Sequence, residues 1–354
     1  MQLPRLITKT HTEALRPGNY SLLISKCSSP YKSSYPETVE KRLADFLKPS
    51  IAKYTVKTAT EKNRGFGFLL DNMIWSWKGH VINAILQDVG KTSNNKDDYY
   101  DLTKSEKIAY LKYFLETEGA LILKLSKMFQ KRGGISYSFL KSEIQNIFKD
   151  IYESYIDLAP DFRTRIRIKQ MFQETQKQMK SKKGTYATGT LPHKIKPHIQ
   201  ALADLGLLVV DKGTEEEIYQ SSVIDGLSSL DLLSGKLQDF KTMEDLLTNE
   251  EHFSIIAEAL NLKSVRYSPR THKERLQRTF SSGYEGVKNK TTGMADIEAL
   301  VDWCCTKLLS EQNILITQSE VKEFISGIRQ VSPSSIQFHV DGKGRIAYLI
   351  MASK

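Results

Sequence analysis

The sequence predicts an α+β fold that is predominantly helical, with small β-hairpins and a mixed α/β N-terminal region. Three observations lead there. From residue 103 onward apolar residues recur every three or four positions, the period of a helix with one buried face. Helix-capping pairs open several of these stretches, among them Thr103 with Glu106 and Thr317 with Glu320. Two helical stretches lead directly into short alternating segments, near residues 207–222 and 335–351.

The elements follow in order. "YSLLIS" from Tyr20 reads as a strand, residues 36–47 as an amphipathic helix, and "AKYTVKT" from Ala52 as a second strand. "RGFGFLL" (64–70) is a third strand candidate, and "MIWSWKGHVINAIL" (73–86) is helical. A long helix opens at Thr103 and ends at Gly133-Gly134. Residues 138–158 form the next helix. Residues 161–179 form another, although "RTRIRIK" (163–169) also alternates with period two. A helix over about 193–205 stops at Gly206, and "LLVVD" then pairs with "EIYQSS". Further helices start at Thr242, Thr271 and Thr317. "SIQFHV" and "RIAYLIM" alternate around "DGKG", a tight-hairpin signal. Polar, turn-rich breaks at 88–101 and 281–293 suggest a division into residues 1–100, 101–225, 226–293 and 294–354.

Composition narrows the function. The chain has 354 residues, enough for two or three domains, with an ordinary hydrophobic fraction of 40% and charged fraction of 26%. No apolar run approaches the ~20 residues of a membrane span, and the first 27 residues lack the apolar core of a secretion signal. Three cysteines, Cys27, Cys304 and Cys305, make neither a disulfide framework nor a zinc-ligand spacing. A reducing, cytoplasmic setting is expected, with no membrane partner, no metal and no cofactor.

The net charge is +10, and its distribution says more than its total. Residues 1–210 carry a net +14, residues 211–262 a net −9, residues 263–290 a net +6, and the remainder a net −1. Two basic zones separated by an acidic one suit localised phosphate contacts better than uniform solubility charge.

At residues 191–222, "LPHKIKPHIQALADLGLLVVDKGTEEEIYQSS" has a basic helix entry, an apolar helix and a two-stranded hairpin. On these residues the chain resembles winged-helix DNA-binding proteins, over roughly residues 107–222. The resemblance implies a recognition helix in the major groove and a wing on the backbone. Lys194, Lys196 and His198 would then face DNA, with Ile199, Leu202 and Leu205 packed inward. The hairpin loop departs from the pattern, since Glu215, Glu216 and Glu217 would repel phosphate. Either this wing points away from DNA or the unit binds protein. Residues 294–354 resemble the same family, with Lys343 and Arg345 in the hairpin loop. Between the two, residues 263–290 interleave eight basic residues with Tyr267, Phe280 and Tyr284. Arg266, Arg270, Lys273, Arg275 and Arg278 recur at helical steps and would line one flank for phosphate contacts. The bland alternative for each zone is a solvated basic face on a structural helix.

Two other functions compete. Residues 64–70 resemble the signature strand of an RNA-recognition motif, which implies that Phe66 and Phe68 stack on RNA bases; the preferred reading of the two rings is core packing beside a glycine bend. "GYEGVKNK" and "SEVKE" place acids near lysines, as metal-dependent nucleases do, but without a second acid. The expected function is therefore duplex DNA binding without catalysis. The architecture suggests the DNA-reading subunit of a restriction, phage-defence or replication complex, with protein partners of its own.

Overall fold

The computed structural model describes residues 4–6, 15–60, 66–91, 94–179, 192–212, 216–331, 336–342 and 346–351. It is 65% helix and 13% strand, and its sheets are small and antiparallel apart from one two-strand parallel pair, so the α+β, mostly helical expectation holds.

The N-terminal region is helical: α1 (Pro17–Leu22) running into a π-turn, α2 (Pro36–Ala44), α3 (Pro49–Thr60) and α4 (Trp77–Asp88). This corrects the mixed α/β expectation, because among the described residues only isolated bridges, Ser29 to Ile74 and Leu69 to Trp75, join its loops. The segment expected as an alternating strand is α3, which buries Ile51, Ala52, Thr55, Val56 and Ala59, one helical stripe. Tyr20 to Ile24 are buried on every side, so no exposed face marked their helical period.

The long helix α5 (Lys104–Arg132) is the axle of the molecule, about 44 Å at 1.5 Å per residue. Thr103 and Glu106 close its N-terminus as a capping box: Thr103 N donates to Glu106 Oε2 at 2.8 Å, and Glu106 N to Thr103 Oγ1 at 3.3 Å. Gly133 ends it at φ +72°, a conformation that favours glycine.

From α5 the chain makes β1 (Gly134–Ser136), α6 (Tyr137–Asp157), α7 (Phe162–Met179), α8 (Pro192–Asp204), β2 (Leu208–Lys212) and β3 (Glu217–Ser221). The three strands pair in the order β1-β3-β2, and Tyr219 of β3 faces both Ile135 and Val210. A short hairpin of β4 (Val223–Ile224) and β5 (Leu227–Ser228) leads to α9 (Ser229–Leu237), α10 (Phe240–Thr248) and α11 (His252–Ala259), which pack on α5.

After β6 (Val265–Arg266) the first arrangement recurs. It comprises α12 (Pro269–Val287), β7 (Ala295–Asp296), α13 (Ile297–Gln312), α14 (Gln318–Val331), β9 (Ile336–Val340) and β10 (Ile346–Met351). The strand β8 (Ile314–Leu315) falls between α13 and α14 and pairs in parallel with β6. The sheet order is β7-β10-β9, so in both units the last strand lies between the other two. The second unit lacks a counterpart of α7.

A buried charge cluster joins these parts at the middle of α5. Lys112 Nζ lies 2.8 Å from Asp302 Oδ2 on α13 and 2.6 Å from Glu116. Tyr113 Oη and Gln318 Nε2 also donate to Asp302, at 3.2 and 2.8 Å. Lys78 of α4 reaches Glu116 at 2.8 Å. Burial alone would raise the Glu116 carboxyl, but Lys112 and Lys78 outweigh it and hold the group well below its usual range. Arg5 extends the network, donating to the Glu116 carbonyl at 2.8 Å and to Glu244 of α10 at 3.1 Å.

His252 sits beside this cluster with no hydrogen-bond partner for either ring nitrogen among the described residues. Burial, followed by the Lys112 charge, lowers its pKa from 6.5 to about 3. An unfolded chain protonates this imidazole near pH 6.5, and the folded one resists until about 3. Below pH 6.5 the unfolded state binds more protons, so stability present above that pH declines as pH falls. The stability lost between pH 7.5 and 5.0 should be smaller in His252→Leu than in the parent by about 2 kcal/mol. Urea unfolding at the two pH values measures it; equal losses would mean His252 does not titrate on unfolding.

Candidate nucleic-acid interface

The helix expected to read DNA is α8, and it is largely interior. Ile195, Ile199, Leu202 and Leu205 are buried, as the apolar spacing requires. His198 is buried with them, its Nε2 3.1 Å from Glu118 Oε1 of α5. It is therefore not on a surface that DNA can reach, because α8 is wedged between α6 and β2. Lys196 is half-buried, with its ammonium 3.2 Å from Glu217 Oε2 and 5.1 Å from the Tyr137 ring centre. Its charge is already matched within the fold. The side chain of Lys194 lies outside the described residues.

The acidic hairpin loop is explained by the same contacts. Glu216 accepts a hydrogen bond from Ser138 N at the start of α6. Glu217 accepts one from Tyr219 Oη at 2.6 Å and pairs with Lys196. Hydrogen bonding holds both carboxyls below their ordinary range. These carboxylates fasten β3 to α6 and α8. Glu215 lies outside the described residues.

The second basic zone is arranged differently. Leu276, Thr279, Phe280, Gly283, Tyr284 and Val287 bury one side of α12. Arg270, Lys273, Arg275 and Arg278 are exposed, and no carboxylate lies within ion-pair distance of any of them among the described residues. Glu274, also exposed, is the one acid among them. Arg266, before the helix, is exposed and 3.6 Å from Glu320. Tyr267, Phe280 and Tyr284 are buried, so no ring on this face is free to stack on bases. Lys343 and Arg345, the expected wing cations, lie outside the described residues.

A basic face not expected as a site is α7. Arg163, Arg165, Arg167, Lys169 and Lys177 are all exposed, against the single acid Glu174. Among its described side chains only Ile168 and Thr175 are fully buried. Phe172 stacks on Tyr152 of α6 at 5.0 Å, and the Tyr152 and Thr175 hydroxyls share a hydrogen bond of 2.9 Å. Residues two apart on a helix stand 200° apart, so the alternating "RTRIRIK" fans its cations around the solvent side. Phe162 and Ile166 are exposed among them, at 74% and 39%. The sequence signal for this face is four basic residues in seven.

Phe66 and Phe68 follow the core-packing reading, not the RNA-stacking one. Phe66 and Phe68 are buried in an aromatic cluster, Phe66 4.6 Å from Phe114 and Phe68 5.5 Å from Tyr113 between ring centres. They offer no face to a base. Arg64 and Gly65 lie outside the described residues. The acids near lysines are engaged locally: Glu285 with Lys288 at 2.6 Å, and Glu320 with Thr317 in a capping pair. Among the described residues no group of three His, Cys, Asp or Glu side chains is placed to hold a metal ion, and no helix is long and apolar enough to cross a membrane.

Phe68→Ala should lower unfolding stability by about 3–5 kcal/mol, the usual cost of emptying a buried phenylalanine site. Denaturant unfolding of the purified variant checks this; an unchanged midpoint together with lost RNA binding would restore the stacking role.

No known family model, curated protein or solved structure matches this chain, and its functional reading rests on the geometry of its own residues.

Proposed function

We propose that this protein binds double-stranded DNA through two winged-helix-like units and acts by binding rather than by catalysis. The observation that carries the reading is the pairing of one topology with one kind of surface. Each unit runs helix, strand, helix, then a last helix into a hairpin, with the extra helix α7 in the first and the short strand β8 in the second, and each has its last strand in the centre of the sheet. Each also presents an arginine-rich helix, α7 or α12, whose cations have no carboxylate partner among the described residues. Unpaired cations clustered on a helix face release counterions from DNA phosphates, which is the main source of affinity for a duplex.

The helices at the recognition position support phosphate contact over base reading. In the first unit that helix is α8, used for packing. In the second it is α14, whose Glu323 is exposed and whose Lys322 is paired with Glu250 and Glu298 at 3.3 and 3.2 Å. Phosphate contacts position a protein without specifying sequence. The proposed binding is therefore weakly selective, and sequence choice falls to a protein partner in a larger assembly.

Fluorescence anisotropy with a labelled 20-base-pair duplex tests this. With about six phosphates neutralised, affinity should fall on the order of a thousandfold between 50 and 200 mM salt. Arg163→Ala with Arg167→Ala, and separately Arg270→Ala with Arg278→Ala, should each flatten the salt slope by roughly two. Matched and scrambled duplexes should respond alike. Lys196→Ala should lower the Tm and leave affinity within about twofold. Binding indifferent to salt, or a preference for RNA at every salt level, overturns the reading.

A further inference from the structure

A cleft of about 680 Å³ opens where the N-terminal region meets the second unit. Its walls come from the loop before α4, the end of α12, residues 289–294 and the β7–β10 ladder. That size is typical of small-molecule sites, which favour such junctions. It lies apart from the arginines of α7 and α12, none of which lines it.

Two wall residues are set side by side by the sheet. Asp296 of β7 and Tyr348 of β10 are direct cross-strand partners, so their side chains leave the same face. Tyr348 is 43% exposed. Asp296 Oδ1 caps α13 by accepting from Ala299 N at 3.1 Å. Burial raises this carboxyl to about 6. Across the cleft Trp75 is fixed in place: its Nε1 donates to Ser28 Oγ at 2.7 Å, and its ring meets His80 edge-on at 5.4 Å. Asn289 uses its Oδ1 to accept from Thr291 N and Thr292 N at 2.8 and 3.0 Å, and its NH₂ has no partner among the described residues.

The charge of the lining selects against anions. Its one lysine, Lys78, is spent on Glu116 at 2.8 Å, and burial keeps His80 neutral by lowering its pKa to about 4. A phosphate or carboxylate would meet Asp296 with no free cation. A flat ring is favoured instead, with an edge that donates an N–H to a carboxylate and accepts from a side-chain amide. An amino-substituted heteroaromatic base has that edge, and the aromatic walls match its faces.

We propose that this cleft binds an amino-bearing nucleobase, with Asp296 accepting from its exocyclic amine and Tyr348 and Trp75 flanking the ring. The base can come from a free nucleoside or from a nucleotide swung out of a strand, and the site does not depend on the duplex-binding reading.

Titrating the full chain with adenosine, cytidine and uridine, followed by tryptophan fluorescence and calorimetry, tests it. Adenosine and cytidine should bind saturably, and uridine, without the amine, at least tenfold more weakly. Asp296→Asn keeps a good helix cap. It should retain the parent Tm and lose at least tenfold in adenosine affinity. Tyr348→Ala should lose several-fold. A duplex carrying an unpaired 2-aminopurine separates the sources: a rise in its emission shows a base taken from the strand, and no rise beside tight adenosine binding shows a free nucleoside. The proposal is overturned if neither probe binds, if the three nucleosides bind alike, or if Asp296→Asn binds as the parent does. Adenosine binding without any duplex binding would leave this site standing and remove the DNA reading alone.

Discussion

The cluster around Lys112 is the constraint on which the rest of the structure depends. Taking an ammonium and two carboxylates out of water is costly, and the cost is recovered only if every charge keeps its partners. Lys112 meets Asp302 and Glu116, Asp302 also accepts from Tyr113 and Gln318, and Lys78 and Arg5 close the far side. These groups come from α4, α5, α13, α14 and the N-terminal segment. An apolar core would tolerate small shifts between such elements, whereas an incompletely paired buried charge would not. The cluster thus fixes how the N-terminal helices and the second unit sit on α5. Both the cleft at Asp296 and the exposure of α12 follow from that placement.

The two units show one arrangement put to two uses. In each, a hairpin closes over a helix that is held by its own packing. In the first, Glu216 and Glu217, which seemed hostile to phosphate, are held on Ser138 and Lys196. The inserted α7 carries the cations outward instead. In the second, α12 takes that part, while on α14 Glu320 meets Arg266 and Lys322 meets Glu250 and Glu298. The net charge of the chain is thereby sorted into arginine faces on helices and ion pairs inside units.

Much of this was legible in the sequence. The α5 capping box, the end of α8 at Gly206 and both hairpins follow from local chemistry that acts within a few residues. The N-terminal helices were misread because Tyr20 to Ile24 are buried all round and carry no polar stripe, and because "AKYTVKT" fits periods of both two and four. His198 was misassigned for a related reason: a polar residue beside lysines looks exposed until Glu118, 80 positions away, is brought against it. The cleft could not be read at all. Trp75, Asn289, Asp296 and Tyr348 are scattered over the chain, and only the β7–β10 register makes neighbours of the last two.

The sequence distance within the central cluster has a consequence for synthesis. Lys112 and Asp302 are 190 positions apart, and Gln318 follows later still. At the usual pace of translation, α5 would wait roughly 10–40 s after emerging before its counter-charge on α13 exists. Through that interval Glu116 is the only near carboxylate for Lys112, and the stripe of α5 that α13 will cover is open to water. The nascent chain therefore passes through a state in which its longest helix is complete but half-clothed, and a chaperone that recognises apolar helical surface would meet it there.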